Sequence, residues 1–402
     1  MKDHERVSAK LAKFRSSLTL ALKELVGERE SQGLPVHDFG LGETKGDLHP
    51  SVRAAGEDAF RRGDTMYADP SGLPDLRNAA LRWLGLEDHY TVKNVIITSG
   101  AKQGLFNTFL AICNPADTVL FEAAPWVSYQ PLAVSAYAVP IMVLPQGGAQ
   151  SRFKVSPDDL LRNLRVRPYA KLFLLNSPVN PTSQLYSANE LDELLRICAR
   201  HRVFFVLDRL YWRLVYDQVT YPEPIIDEET KPWLIQIDGM SKNFRRAGGL
   251  RIGWTIAPDD VASAMINLQS HYTSGPATPT QRAALAALSG TYDLSMREDL
   301  QRKRDLLLSE ARKIPLVDVW PTPAAFYSFW DVTAAFGLKP PDGEILRTSD
   351  DVAAWLVRTE GVVTASGIGF NQDGYLRLSF ATEDETIVAG MRATKRAFES
   401  LT

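Results

Sequence analysis

The chain has 402 residues, 45% of them apolar and 23% charged, with a formal net charge of −3. That length suffices for a sizeable core, either as two or three domains or as one large α/β unit with a smaller partner. The near-neutral charge excludes a global field attracting nucleic acid or an anionic membrane, and neither is expected as a partner.

The opening stretch, MKDHERVSAKLAKF, is charged and has no apolar run of signal-peptide type. From about residue 75 to 290, short apolar runs alternate with helical patterns. VKNVIITSG reads as a strand, AKQGLFNTFLAICNP as a helix and DTVLFEAAP as a strand. Residues 123–145 are apolar but broken by Pro125, Pro131 and Pro140, which predicts loop plus buried strand and no membrane span. Arg162, Arg165 and Arg167 then read as a solvated face. KLFLLNSP, VFFVLD, WLIQID and RIGWTIA read as further strands, with the helix SANELDELLRICARH among them and a long helical zone from Pro258. These runs lack alternating polar residues, as expected of a parallel sheet covered on both faces, and the alternation predicts a doubly wound α/β domain. After about residue 295 a charged helix, then AFYSFWDV, VAAWLVRTEG, GYLRLSFA and a final helix predict a smaller α+β domain. The expected division is an arm over 1–45 packing with the small domain, a large domain over 46–292 and the small domain over 293–402.

Cys113 and Cys198 lie in apolar helical patterns, which fits reduced thiols and a cytoplasmic chain better than a disulfide. The six histidines show no pair at metal-ligand spacing, so no metal site is expected.

In open parallel sheets, ligands sit beyond the carboxyl ends of the strands. Here those ends carry Ser99-Gly100-Ala101, Ser177 to Thr182, Asp208 with Tyr211, and Ser241-Lys242. The first is a strand-to-helix turn of small residues, where free backbone N–H groups either receive an anion or merely permit close packing. Asp208 closes an apolar strand, so it needs a cation, donors or a ligand. An ion pair, a helix cap and a protonated ring nitrogen all remain open for it. Lys242 in the crevice is a candidate for imine chemistry. With Ser241, Arg251 and the N–H groups after Gly100 it sketches a phosphate cup. A phosphate site, a reactive amine and a ring-nitrogen carboxylate are the three handles of pyridoxal phosphate.

From about residue 38 onward the chain resembles the fold-type I pyridoxal-phosphate enzymes, specifically the class I/II aminotransferases. The resemblance rests on YADPSGLPDLR, TSGAKQGLFNTFLAICNPADTV, PWVSY, NSPVNPT, VLDRLY, SKNFRRAGGLRIGW, AFYSF and GYLRLSFA, in that order. It implies a homodimer with shared active sites. It also implies that Lys242 forms the internal aldimine and shuttles the α-proton, and that Asp208 pairs with the pyridine nitrogen. Tyr211 and Asn180 bind the phenolic oxygen, and Trp126 stacks on the ring. Gly100, Ala101, Ser241 and Arg251 hold the phosphate, Lys102 lies with this cofactor group, and Tyr67 reaches the phosphate of the other subunit. Arg377 grips the substrate α-carboxylate, with Gly42 and Asn180 beside it. The implied reaction moves an amino group from an L-amino acid to a 2-oxo acid. It argues against a cofactor-binding regulatory domain, because no basic helix-turn-helix segment precedes the arm.

Several positions depart from the family pattern. Arg251 stands nine residues after Lys242 where the family spaces eight, and Arg245 and Arg246 compete for the phosphate. Ser183 and PTPAAFY lack expected glycines, Arg209 replaces an acidic residue, and the arm reads GLGETKGDLHP. These departures motivate an alternative on the same fold: elimination, cyclisation or oxygen-dependent chemistry on a specialised amino acid. In that case Asp38, Glu43 and Asp47 face a cationic side chain, or else are simply solvated.

Overall fold

The computed structural model describes residues 19–341 and 343–401. Its strands, in chain order, are β1 (His37–Asp38), β2 (Val95–Thr98), β3 (Thr118–Phe121), β4 (Val139–Met142), β5 (Leu172–Asn176), β6 (Phe204–Asp208), β7 (Leu234–Gly239), β8 (Gly253–Ile256), β9 (Asp318–Val319), β10 (Tyr327–Asp331), β11 (Val362–Val363), β12 (Ala365–Ser366) and β13 (Tyr375–Ser379). Seven of them form one sheet in the order β2-β8-β7-β6-β5-β3-β4. All neighbours are parallel except β8, which runs antiparallel to both β2 and β7. The sequence reading drew no such distinction for RIGWTIA, because burial of every residue looks alike in either direction.

β2, β5, β6 and β7 are buried along their length or nearly so, which accounts for their unbroken apolar runs. Helices cover both faces. The helix Ala188–Arg200 starts at a capping box in which Ser187 and Glu190 exchange side-chain and backbone hydrogen bonds. The helix Pro157–Val166 does the same with Ser156 and Asp159. Arg162 of that helix pairs with Asp159, so the basic run is only partly a solvated face.

The stretch 123–145 differs from expectation. A helix, Tyr129–Ser135, interrupts it, and β4 is an edge strand with Val139 43% exposed. Pro131 falls in the first turn of that helix, where a missing N–H costs nothing. The zone after Pro258 is two helices, Asp259–Tyr272 and Thr278–Ser289.

A four-stranded antiparallel sheet, β12-β13-β10-β9, lies against the helices Ser295–Ala311, Ser349–Glu360 and Asp384–Glu399. The arm segment joins it. β1 pairs in parallel with β11, Ser379 N donates to Phe39 O at 2.7 Å, and Arg29 Nη1 donates to Arg358 O at 2.7 Å. Among the described residues no helix is long and apolar enough to cross a membrane.

Two glycines let the reactive end of the sheet close up. A Cβ at Gly253 would stand 2.4 Å from Ala101 N, and one at Gly239 would stand 2.9 Å from Gly253 Cα. Without side chains there, β7, β8 and the start of the helix Ala101–Ile112 abut directly.

Candidate active site

The carboxyl ends of β2, β5, β6 and β7 meet at one edge of the sheet and bring their polar residues together. Asp208, the last residue of β6, is 4% exposed. Its Oδ2 accepts from Tyr129 Oη at 2.7 Å and its Oδ1 from Leu210 N at 3.2 Å. Burial nevertheless pushes its pKa up to about 6, against the pull of these donors and of the Lys242 ammonium. Asn176 ends β5 directly opposite Asp208. Its Nδ2 donates to Asp208 O at 2.8 Å and its Oδ1 accepts from Asn180 N at 2.7 Å, which ties two strand ends together.

Asn180, Tyr211 and Arg377 form one hydrogen-bonded group. Asn180 Nδ2 lies 3.5 Å from Tyr211 Oη, and Asn180 Oδ1 accepts from Arg377 Nη1 at 3.0 Å. Tyr211 Oη also meets Tyr327 Oη at 3.1 Å. Arg377, on β13, is 8% exposed, and its guanidinium lies over the rings of Tyr327 and Phe370 at 4.3 and 5.1 Å. Its Nη2 donates to Gly40 O at 3.0 Å, while its Nε has no partner among the described residues. Among the described residues no carboxylate pairs with it, so a buried guanidinium waits for an anion.

Lys242 leaves β7 on the short helix Met240–Asn243, with Ser241 half-buried before it. Its Nζ donates to Gly42 O and faces the Phe326 ring at 5.8 Å. Close by, a Cβ on Gly100 would stand 2.5 Å from Arg251 Nη2. Gly100, at φ +77°, caps the helix Ala101–Ile112 without a side-chain acceptor, so its first N–H groups are free for a ligand. Lys102, in the first turn, lies over the Trp126 ring at 4.9 Å. Burial first, then Arg251 and Lys242, lower its pKa. Three cations thus gather at a helix N-terminus with no carboxylate in ion-pair contact among the described residues. Trp126 meets Tyr129 edge to face at 5.5 Å.

Tyr67 stands apart from this group, 94% exposed. Arg245 and Arg246 turn away from the cations. Arg245 Nη1 lies 3.7 Å from Asp299 Oδ2, and Arg246 engages Thr44 Oγ1 and Gly46 O of the arm.

The other departures have local explanations. Ser183 adopts φ of +56°, the left-handed conformation that favours glycine, whereas in PTPAAFY it is Ala325, one residue after the position where glycine was expected, that does so at +55°. Ser183 Oγ also donates to Tyr327 O at 2.7 Å. Arg209 is fully buried, donates to Glu223 and Gln236, and lies over Trp212 and Tyr221. Asp38 Oδ1 accepts from Gly40 N at 2.8 Å, while Glu43 and Asp47 are exposed. Tyr129, Asn176 and Tyr327 were not singled out from the sequence. They sit inside the quoted motifs, but only the folded chain places them against Asp208, Asn180 and Tyr211.

These residues fit pyridoxal phosphate on the structure's own terms. The unpaired cations at a free helix N-terminus suit a phosphate. Asp208, held at the edge of ionisation, suits a protonated ring nitrogen, and Lys242 supplies the amine. Among the described residues no group of three or more His, Cys, Asp or Glu is placed to hold a metal.

Residues 35–393 match the family described as aminotransferase class I and II. The chain is 32% identical over 387 residues to the aspartate/prephenate aminotransferase of Cereibacter sphaeroides, covering 95% of this chain and 96% of that one. It is 30% identical over 376 residues to the aspartate aminotransferase of Rhizobium meliloti, covering 92% and 90%. A crystal structure of the aspartate aminotransferase from Rhizobium meliloti superposes with a TM-score of 0.92 at 28% identity, covering 99% of this chain and all of that one. The Thermus thermophilus aspartate aminotransferase with maleate gives 0.88 at 28% identity over 98% of this chain. Elimination, cyclisation or oxygen-dependent chemistry is not favoured by these relatives. The chain belongs to the class I and II aminotransferases, fold-type I enzymes that use pyridoxal phosphate to transfer amino groups between amino acids and 2-oxo acids.

Proposed function

We propose that the chain transfers the amino group of an acidic L-amino acid, aspartate first among them, to a 2-oxo acid, and that it does so as a homodimer in the cytoplasm. The observation that carries the substrate class is the surplus of cations around the start of the helix Ala101–Ile112. A phosphate monoester brings roughly −1.5 to −2 charges at neutral pH. Arg251 and the helix N-terminus meet that charge, and Lys242 is committed to the reaction. Lys102 is left over: its ammonium lies over the Trp126 ring, partly screened from water but still open on one side to a ligand. We assign it to a carboxylate on the substrate side chain, which agrees with the aspartate named in the relatives.

When bound, the cofactor supplies an electron sink for the bonds at the substrate α-carbon. The chain supplies the rest. Gly100, Ala101, Ser241 and Arg251 grip the phosphate. Asp208, oriented by Tyr129 and Leu210, holds a proton on the ring nitrogen. Tyr211 and Asn180 face the phenolic oxygen, and Trp126 covers one face of the ring. Arg377 exchanges its hydrogen bonds with Asn180 and Gly40 for the substrate α-carboxylate, a planar acid matched to a planar fork. Lys242 Nζ then moves the proton at the α-carbon. We take 46–292 as the unit that carries the cofactor, with 293–402 and the arm closing over it.

Replacing Lys102 with glutamine is expected to lower kcat/KM for aspartate by about 30- to 150-fold, the worth of a charged hydrogen bond at roughly 2–3 kcal/mol. Values for alanine or phenylalanine should change little. Steady-state kinetics on the three donors decides, and an equal loss on all three would return Lys102 to the cofactor.

The dimer reading rests on exposed apolar surface. Tyr67, Met66 and Phe60 are 94%, 83% and 67% exposed on one stretch of chain. A second copy would cover them and place Tyr67 at its neighbour's phosphate. Sedimentation of the loaded enzyme should give a dimer of about 89 kDa, twice the chain mass of 44.7 kDa. A monomer active at high dilution would sink this part.

A further inference from the structure

Glu122 has no part in the roles assigned so far. It follows β3, is 2% exposed, and among the described residues neither of its carboxyl oxygens has a hydrogen-bond partner. The sheet order β6-β5-β3 sets the ends carrying Asp208, Asn176 and Glu122 side by side. The groups facing it are Asp208, Tyr129 and Tyr186, all acids, with the Asn176 backbone N–H near enough to offset the burial in part. None of these is a cation. A carboxylate so placed is heavily penalised, and its simplest relief is to keep a proton.

Asp208 sits differently. It has two donors, Tyr129 Oη and Leu210 N, and the Lys242 ammonium pulls it toward the anion. Two neighbouring buried carboxyls with unequal support divide their protons unequally.

We propose that Glu122 is a positioning residue for Asp208: of the two buried carboxyls set on either side of β5, Glu122 keeps its proton, so that Asp208 is the one anion at the ring end of the site. The functional consequence rests on the assignment of Asp208 to the ring nitrogen, whereas the location of the proton does not. As pH rises, burial holds the Glu122 proton well past the usual carboxylate range. Once that proton leaves, two anions share the site and Asp208 no longer acts alone. A group with a raised folded pKa stabilises the fold at low pH, and that stability is lost as pH climbs through the folded value. The loss therefore falls on the alkaline side.

The test uses the cofactor-free and the loaded chain. With carboxyl-13C glutamate incorporated, isotope-edited infrared spectra of the cofactor-free wild type at pH 7 should show a protonated-carboxyl band. Glu122→Gln should lack it. Denaturant unfolding should show the wild type losing stability relative to the variant as pH rises toward 9. In the loaded enzyme, Glu122→Gln should keep kcat at pH 7 within about threefold, equivalent to about half a pK unit, and shift the alkaline limb of the profile. No protonated band in the wild type, a band that persists in the variant, or an unmoved alkaline limb would each overturn the proposal. If that variant does not fold, Glu122→Asp, in which the labelled glutamate is likewise absent from this position, should lose the same band, and a band that stays overturns the proposal. A band that behaves as stated, together with an active Asp208→Asn enzyme, would remove the ring-nitrogen assignment and leave the Glu122 proton in place.

Discussion

Lys242→Ala should lower kcat by at least ~10²–10⁴-fold, the range for loss of a positioned proton carrier, and should let the loaded protein lose its cofactor on dialysis. Both effects follow from the position of this amine. Among the described residues Lys242 Nζ has one hydrogen-bond acceptor, Gly42 O, and no carboxylate in ion-pair contact, while Asp208 lies near enough to feel its charge. Removing it leaves Arg251 and Gly100 in place, so the phosphate still binds, but the covalent attachment and the proton carrier are gone. Two side effects distinguish this from general damage. The Lys102 ammonium loses one like-charged neighbour, so its pKa rises toward the ordinary lysine value. Asp208 loses its supporting cation, so its carboxyl moves above about 6. Steady-state kinetics and absorbance after dialysis read the first pair, and a pH series of unfolding reads the last. A variant retaining a tenth of the activity would disprove the assignment.

Asp208→Asn is expected to stabilise the cofactor-free chain at pH 8 while disabling the loaded enzyme. The folded chain holds this carboxyl at about 6, above its ordinary 3.8. A raised folded pKa means that the folded state binds the proton more tightly than the unfolded one. The stability is therefore complete below about pH 4 and is lost as pH rises through 6. The shift corresponds to about 3 kcal/mol at pH 8. Asparagine has no charge to bury, so the variant should exceed the wild type by about that amount at pH 8 and match it near pH 4, measured by denaturant unfolding. Asp238, pushed up to about 7 by burial, has the same sign but is common to both proteins and cancels. The loaded variant should lose roughly 10²–10³ in kcat, the usual cost of removing one fixed electrostatic partner of the reacting group. Stability given up for a poised charge is a common trade at active sites. Equal stability of the two proteins at both pH values would show that Asp208 is not buried as an anion.

The apolar runs of β5, β6 and β7 were readable because a strand covered on both faces needs no polar residue, and a polar residue at its end then stands out. Lys242 and Asp208 became candidates that way, whereas Asn180 took its role from the resemblance of NSPVNPT to the family. The antiparallel course of β8 was not readable, since hydrophobic patterning records burial and not direction. The helix Tyr129–Ser135 was hidden by Pro131, which breaks a helix in its middle and is tolerated in its first turn. That Arg251, and not Arg245 or Arg246, lies beside Gly100 was not readable either; the turn at Gly248, whose carbonyl accepts from Arg251 Nη1 at 2.9 Å, directs it there.

What the sequence by itself determined is the kit of chemical groups and the order in which the chain presents them: an amine, a carboxylate, a small-residue helix start and a guanidinium, each at the end or in the middle of a recognisable strand. Only the tertiary structure decided their charge states and partners. Tyr129 donates to a carboxylate 79 residues away, and Glu122 and Asp208 become neighbours through β5, which lies between their strands. A carboxyl's charge depends on how much water it loses and on which donors and cations face it. Those quantities exist only once distant segments have packed.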